Sequence, residues 1–471
     1  MLSLRSYPSL RSHVPWGVPL LAGLLVLGAV PPDLPDTDRA GRTVLAPVRD
    51  DFDGDGYQDL ALGAPRATVG GQTRAGHVVV LYGGPHGVSA DRRTVISRAT
   101  TGIPGSPATS EQFGLQLSKG DLDGDGRAEL VVGTSGGKAR AVVVWGGPRG
   151  LTGGTSVPAA ATRTGDFDGD GRLDLALFAG GRSPGDDPLG TTATVWTGPV
   201  SRSGTPARTS GLDAEHLRYQ DVWDGAVGDV NADGRDDLVL KTYLGEGAFG
   251  TRFYLATARG LTAADFPGGD GGFAFGDLNG DGYDDLAVGA TADRGKITVA
   301  PGSAAGLKPR SAWKTYTQDT PGVPGTAETG DYFGADLSAG DVTGDGIDDL
   351  AVGAPGEELG YDDGAGAVTL LRGSRTGPTG TGAQLLTQDT KGVTGTSEPG
   401  DGFGGAVRLL DINGNGHADL TASAPGEDSG NGRAWVLRGR PTGVVTDAAL
   451  VVDARTVGAP YAKALFGAVV R

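Results

Sequence analysis

Residues 51–65 read DFDGDGYQDLALGAP, and the first nine of them carry the key to the fold. Aspartates stand at positions 1, 3, 5 and 9 of this nonapeptide, with glycines at 4 and 6. Glycine reaches backbone conformations closed to other residues, so the chain can double back and bring the four carboxylates together. Crowded into one turn without a cation, those carboxylates would repel one another. The run that follows, LALGAP, is short, aliphatic and ended by Gly and Pro, which signals a strand. The unit reads as a metal-type loop that leads into a strand.

The nonapeptide occurs six more times. It reads DLDGDGRAE from Asp121, DFDGDGRLD from Asp166 and DVNADGRDD from Asp229, then DLNGDGYDD from Asp277, DVTGDGIDD from Asp341 and DINGNGHAD from Asp411. The starts lie 70, 45, 63, 48, 64 and 70 residues apart. A leucine opens an aliphatic run after every loop, as in LVVGTS at Leu130, LAVGAT at Leu286, LAVGAP at Leu350 and LTASAP at Leu420. A second run follows, such as HVVVLYGG from His77 or AVVVWGG from Ala141. Phe-Gly pairs stand eight residues before three of the loops, at Phe113-Gly114, Phe333-Gly334 and Phe403-Gly404. Each repeat therefore holds four short strands, and no amphipathic helical period interrupts them. Seven such units predict an all-β fold, a seven-bladed β-propeller in which radial repetition protects the sheet edges. The 86 glycines among 471 residues argue against a helical protein in any case.

The pattern FG…DxDGDGxxDL…GAP resembles FG-GAP repeats, as in the N-terminal propeller of integrin α subunits and in many secreted bacterial proteins. The resemblance covers about residues 40–471 and implies calcium in the loop joining the first two strands of each blade. Blade three departs from it with Ala179-Gly180 where GAP belongs, and blade four with Lys241-Thr242. The pair of blade five, Phe275-Gly276, abuts its loop instead of standing eight residues upstream. The chain holds no inserted metal-dependent adhesion domain, so integrin-type ligand recognition is not implied. A further pair beyond the seventh loop, Phe466-Gly467, ends the chain as FGAVVR, while the first loop lacks a pair of its own. This predicts that the C-terminal strand completes blade one and closes the ring.

Calcium takes roughly six to eight oxygen ligands in flexible geometry. The expected ligands are Asp51, Asp53, Asp55 and Asp59 with the Tyr57 carbonyl in loop one, and Asp121, Asp123, Asp125 and Glu129 with that of Arg127 in loop two. Loop three offers Asp166, Asp168, Asp170, Asp174 and the Arg172 carbonyl; loop four offers Asp229, Asn231, Asp233, Asp237 and that of Arg235. Loop five presents Asp277, Asn279, Asp281, Asp285 and the Tyr283 carbonyl; loop six presents Asp341, Thr343, Asp345, Asp349 and that of Ile347. Loop seven has Asp411, Asn413, Asn415, Asp419 and the His417 carbonyl, and keeps only two carboxylates. Affinity rises with ligand charge, so loop seven should bind most weakly, and the longer Glu129 is expected to distort loop two. An EF-hand would need flanking helices and a glutamate at position 12, which here holds strand-core residues such as Leu62 and Val132. Up to seven structural Ca2+ ions are expected.

Residues 1–30 read as a secretory signal, with Arg5 and Arg11 ahead of an apolar stretch from Trp16 to Val30. Residues 31–40 read as a linker and 41–471 as the propeller. The absence of cysteine excludes disulfides and thiolate metal sites, and the net charge of −17 argues against nucleic acid. Gly133-Thr134-Ser135-Gly136-Gly137 imitates a nucleophile elbow, and residues 245–250, GEGAFG, imitate a dinucleotide motif; both fall inside the repeat pattern. The face opposite the acidic loops should collect the longer, more varied loops, with Tyr332, Tyr361, Glu357 and Glu358 as exposed candidates. The reading is a secreted, monomeric, calcium-binding module of adhesion type for an extracellular protein or glycan. It has no enzymatic activity, no nucleic-acid partner and no membrane span after signal removal. The alternatives are an extracellular hydrolase or lyase built on the propeller, and a cell-envelope structural protein.

Overall fold

The computed structural model describes residues 50–135, 140–182, 187–212 and 215–471. The expected signal segment and linker lie outside them. The described chain forms seven four-stranded antiparallel sheets; six have their strands in chain order from the channel outward, and blade one has the C-terminal strand innermost. The second blade shows the pattern: Leu117–Gly120 innermost, then Glu129–Val132, Val142–Trp145 and Thr152–Ser156. The aliphatic runs form the second and third strands, and most of their residues are fully buried. Seven apolar clusters fill the wedges between neighbouring blades, as where Leu60, Leu62 and Val79 of blade one meet Val436 and Phe466. Helix is confined to short turns such as Arg310–Ala312.

The ring closes on a strand made from both ends of the described chain. Val469–Val470 pairs antiparallel with Leu60–Ala64, setting Leu62 opposite Val470 and Gly63 opposite Val469. Ala61 and Arg471 exchange two backbone hydrogen bonds, at 2.7 and 2.9 Å. Just beyond the chain end the ladder resumes from the other side, with the Asp59 amide donating to the Asp50 carbonyl at 2.6 Å. The innermost strand of blade one is thus composite: Arg471 stops where Asp50 continues. Its end also reaches across the channel, where the Arg471 guanidinium meets Asp224 of blade four at 2.8 Å. Arg163 meets the same carboxylate at 2.5 Å, and Lys119 meets Asp50 at 2.5 Å. Burial opposes ionisation of Asp224, yet Arg471 and Arg163 together hold its carboxyl below the ordinary range.

The Phe-Gly and GAP elements lock one blade to the next. Phe113, Phe333, Phe403 and Phe466 are all fully buried. Their backbones lie against Gly76, Gly295, Gly366 and Gly432 of the preceding blade, all at positive φ. The GAP glycines Gly63, Gly289 and Gly353 meet the carbonyls of Gly114, Gly334 and Gly404 so closely that a Cβ would overlap the oxygen. Blade seven has Ser423 in this place, and its hydroxyl donates to the Gly467 carbonyl at 2.7 Å instead.

Blades three and four, which lack GAP, are built differently. Their middle strands are the long pairs Asp174–Arg182 with Pro188–Thr197 and Asp237–Gly245 with Ala248–Thr257. Gly180, Gly181 and Arg182 pair with Thr191, Gly190 and Pro188, so these residues extend a hairpin.

Two outcomes test this account. Gly353→Ala should cost about 1–3 kcal/mol in urea unfolding, the usual range for overpacking. Removing residues 466–471 deletes the closing strand and should lower the melting temperature by about 5 °C or more. An unchanged transition in the truncated chain would refute the composite strand as the closure.

Candidate metal loops

Every nonapeptide joins the first and second strands of its blade, so all seven lie on one face of the ring. Position 1 organises the turn. Asp51 accepts from the amides of Gly54 at 2.6 Å, Asp55 at 3.2 Å and Gly56 at 2.8 Å. Asp121 and Asp341 repeat the triplet on positions 4, 5 and 6 of their own loops. Positions 4 and 6 need glycine because they sit at φ of +78° and +89° in loop one.

Position 9 ties the loop to its strands. Asp59 accepts from Phe52 at 2.7 Å and from Gly83 at 2.8 Å. Glu129 makes the matching contacts, with Leu122 at 2.7 Å and Gly146 at 3.2 Å, so its extra methylene leaves loop two undistorted.

In loops one to three the oxygens of positions 1, 3 and 9 lie within 4.8 Å of one another: Asp51, Asp53 and Asp59; Asp121, Asp123 and Glu129; Asp166, Asp168 and Asp174. Among the described residues no other acidic or histidine group meets that criterion. Loops four to seven have Asn231, Asn279, Thr343 or Asn413 at position 3 and so offer only two carboxylates at these three positions. Asn279 and Asn413 turn their amide nitrogens toward Asp285 at 2.9 Å and Asp419 at 2.6 Å. Three expected ligand oxygens, Asp168 Oδ1, Thr343 Oγ1 and Asp349 Oδ2, are buried without a hydrogen-bond partner. Buried orphan oxygens among convergent carboxylates fit a hard, oxygen-seeking cation.

Position 5 stands outside the close sets. Asp55 and Asp125 accept from the position-7 amides of Tyr57 at 3.1 Å and Arg127 at 3.0 Å. The position-7 side chains themselves lean on the preceding loop: Tyr57 on Gly414, Arg127 on Gly54, Arg235 on Gly169, Ile347 on Gly280 and His417 on Gly344.

Comparison with known proteins bears on this geometry. The FG-GAP repeat family matches residues 46–81, 271–300, 333–371 and 403–437, and the FG-GAP-like repeat family matches residues 121–177. The chain carries FG-GAP repeats on a seven-bladed propeller. It is 32% identical to Integrin alpha-PS2 of Drosophila melanogaster over 29% of this chain and 10% of that protein. To Integrin alpha-5 of Xenopus laevis it is 39% identical over 18% of this chain and 8% of that one. The matches thus span about a tenth of these integrin relatives. Among solved structures, AofleA from Arthrobotrys oligospora shares 9% identity at a TM-score of 0.37, over 74% of this chain and 91% of that one, a likeness too slight to carry function.

The FG-GAP propeller adds basic side chains that the repeat pattern does not announce. Arg92 grips Asp53 at 3.0 Å and Asp55 at 2.9 Å, and Arg202 grips Asp123 at 2.7 Å and Asp125 at 2.9 Å. Arg208 reaches Asp168 and Lys308 reaches Asp281. All four lie at or between the third and fourth strands of a blade, a connection on the same face, so topology places them where spacing could not.

The catalytic look-alikes dissolve. Ser135 donates to the carbonyls of Ser110 and Glu111, and residues 245–250 form the tip and flanks of a hairpin. His77 is fully buried, and burial pushes its pKa down to about 4.

Burial, reinforced by neighbouring carboxylates, raises every position-9 acid. Asp59 and Glu129 are pushed up to about 8, and Asp174 and Asp237 to about 7. Burial raises Asp285, Asp349 and Asp419 only to about 6, because Asn279, Arg372 and Asn413 respectively offset part of it. A carboxyl whose folded pKa lies above its unfolded value loses stabilisation as pH rises between the two. In divalent-free buffer the melting temperature should therefore fall as pH rises from about 4 to about 8, with loops one to four carrying the part above pH 6, and level off beyond. A rise over that window in differential scanning calorimetry would contradict the crowding of these carboxylates.

Proposed function

We propose that this FG-GAP propeller is a secreted, calcium-stabilised binding module of adhesion type, acting as a monomer on an extracellular protein or glycan and not as an enzyme. One observation carries the reading. The large hydrophobic side chains exposed among the described residues are Leu189, Tyr219, Trp223, Leu244, Tyr332, Tyr361 and Tyr461. All seven lie in or beside the connections between second and third strands or between blades, which is the face opposite the acidic loops. Exposed aromatics gathered on one face of a rigid scaffold mark a recognition surface. Tyr361 is 100% exposed and Tyr332 50%. Trp223, Tyr243 and Phe249 form an aromatic group in blade four, with centroids 5.2–5.6 Å apart. Glu358 is exposed as expected. Glu357 is not: it is buried and accepts from the Gln318 amide at 2.5 Å, so it shapes the loop instead of meeting a partner.

The calcium ligands in this reading are the oxygens of positions 1, 3, 5 and 9 with the position-7 carbonyl, up to seven ions in all. Bound only by the folded chain, they would stabilise it by mass action. No helix among the described residues is long and apolar enough to cross a membrane.

The test is a glycan array and a panel of extracellular matrix proteins, probed with and without calcium. Tyr219→Ala combined with Tyr361→Ala should abolish binding at unchanged melting temperature. Chelation should lower the melting temperature by about 5 °C or more. Binding that survives both aromatic changes would place the ligand elsewhere, and melting indifferent to chelation would remove calcium from the account.

A further inference from the structure

Position 8 of the nonapeptide has no part in the ligand scheme, yet in three consecutive loops it is a second aspartate: Asp236, Asp284 and Asp348. Each reaches back to the loop before it. The Asp236 carboxylate accepts from the Asp166 amide at 2.7 Å, Asp284 from Asp229 at 2.9 Å, and Asp348 from Asp277 at 3.1 Å. The backbone returns the bond: the Asp236 amide donates to the Asp166 carbonyl at 2.7 Å, Asp284 to Asp229 at 3.3 Å, and Asp348 to Asp277 at 3.0 Å.

The gripped residue is position 1 in every case, the one whose carboxylate shapes its own turn. Asp229, for instance, accepts from Asn231 and Asp233 at 3.3 Å and from Gly234 at 2.8 Å. The gripping residue is the chain neighbour of position 9. One aspartate of each doublet serves its own site, and the other fixes the site before it. The remaining joints differ. Position 8 is Leu173 in loop three, Ala128 in loop two and Ala418 in loop seven, none with a side-chain acceptor. At the ring closure Gln58 takes the role, accepting from the Asp411 amide at 2.7 Å.

We infer that Asp236, Asp284 and Asp348 are positioning residues that couple loops three to six into one cooperative calcium-binding unit, from which loop two stands apart. The inference rests on the calcium reading above. An ion that orders position 9 of one loop also orders position 8, and with it position 1 of the preceding loop. The second ion then meets a turn already set, so less ordering entropy opposes it. Such coupling is reciprocal between the two sites.

The experiment is calorimetric calcium titration of the full chain after removal of divalent ions. Asp229→Ala removes the site in loop four and should also weaken a neighbouring site by about fivefold or more, the lower end of ordinary site-to-site coupling. In an Asp236→Ala, Asp284→Ala background the same change should remove one site and leave the others unmoved. Asp236→Asn with Asp284→Asn keeps an acceptor oxygen at both places and should restore the coupling. Asp121→Ala in loop two should cost a single site in every background, because Leu173 offers loop two no grip. Circular dichroism at saturating calcium checks that each variant is folded. Additive losses, or failure of the Asn pair to restore coupling, would overturn the clasp while leaving calcium binding intact. A chain that takes up no calcium would instead overturn the reading on which the clasp rests.

Discussion

A closed ring of sheets holds only if its last blade finds its first, and here that depends on one strand assembled from two distant pieces. Val469 and Val470 supply most of it and Asp50 the remainder, with the ladder to Leu60–Ala64 running across the break. Left open, the inner edge of blade one would present unpaired backbone groups to solvent or to another chain. The closure also sets the electrostatics of the channel. Arg471, the last residue, shares Asp224 with Arg163, so the chain end is held by blade four as well as by blade one. Phe466 is fully buried against the Gly432 backbone, which makes the same piece of chain the final link in the blade-to-blade lock.

Once the ring is closed, antiparallel order within every blade sorts the connections onto two faces. One face receives the seven acidic turns together with Arg92, Arg202, Arg208 and Lys308, which partly neutralise them. The other receives the long loops, the hairpins of blades three and four, and the exposed aromatics. The division separates what would stabilise the protein from what would recognise a partner. Seven bound dications would cancel most of the net charge of −17. On the calcium reading, the acidity reflects ligation inside the loops more than a partner.

Much of this is visible in the repeats. The nonapeptide fixes loop geometry because its bonds are local: position 1 holds the amides of positions 4 to 6 of its own loop, and glycine meets the positive φ. The aliphatic runs mark the second and third strands because both faces of those strands are covered by neighbouring blades. What the repeats conceal is contact between blades. The GAP glycine is required by a carbonyl of the next blade, some fifty residues further on in the case of Gly63 and Gly114. Ser423 looks like a lapse from the motif until its hydroxyl is seen on Gly467. Glu129 looks like a misfit, yet its contacts with Leu122 and Gly146 match those of Asp59. Glu357 reads as an exposed charge, and only the fold brings Gln318 to it and buries it.

The sequence by itself determined the number of blades, the place of the acidic turns and the strand that would close the ring, because each of these follows from short-range motifs repeated along the chain. Tertiary structure alone decided which aspartates serve their own loop and which grip the loop before, as in the doublet Asp284-Asp285. Two adjacent carboxylates are alike as letters. They differ only in what the folded ring sets within hydrogen-bond reach, and that depends on where a second blade places its backbone amides.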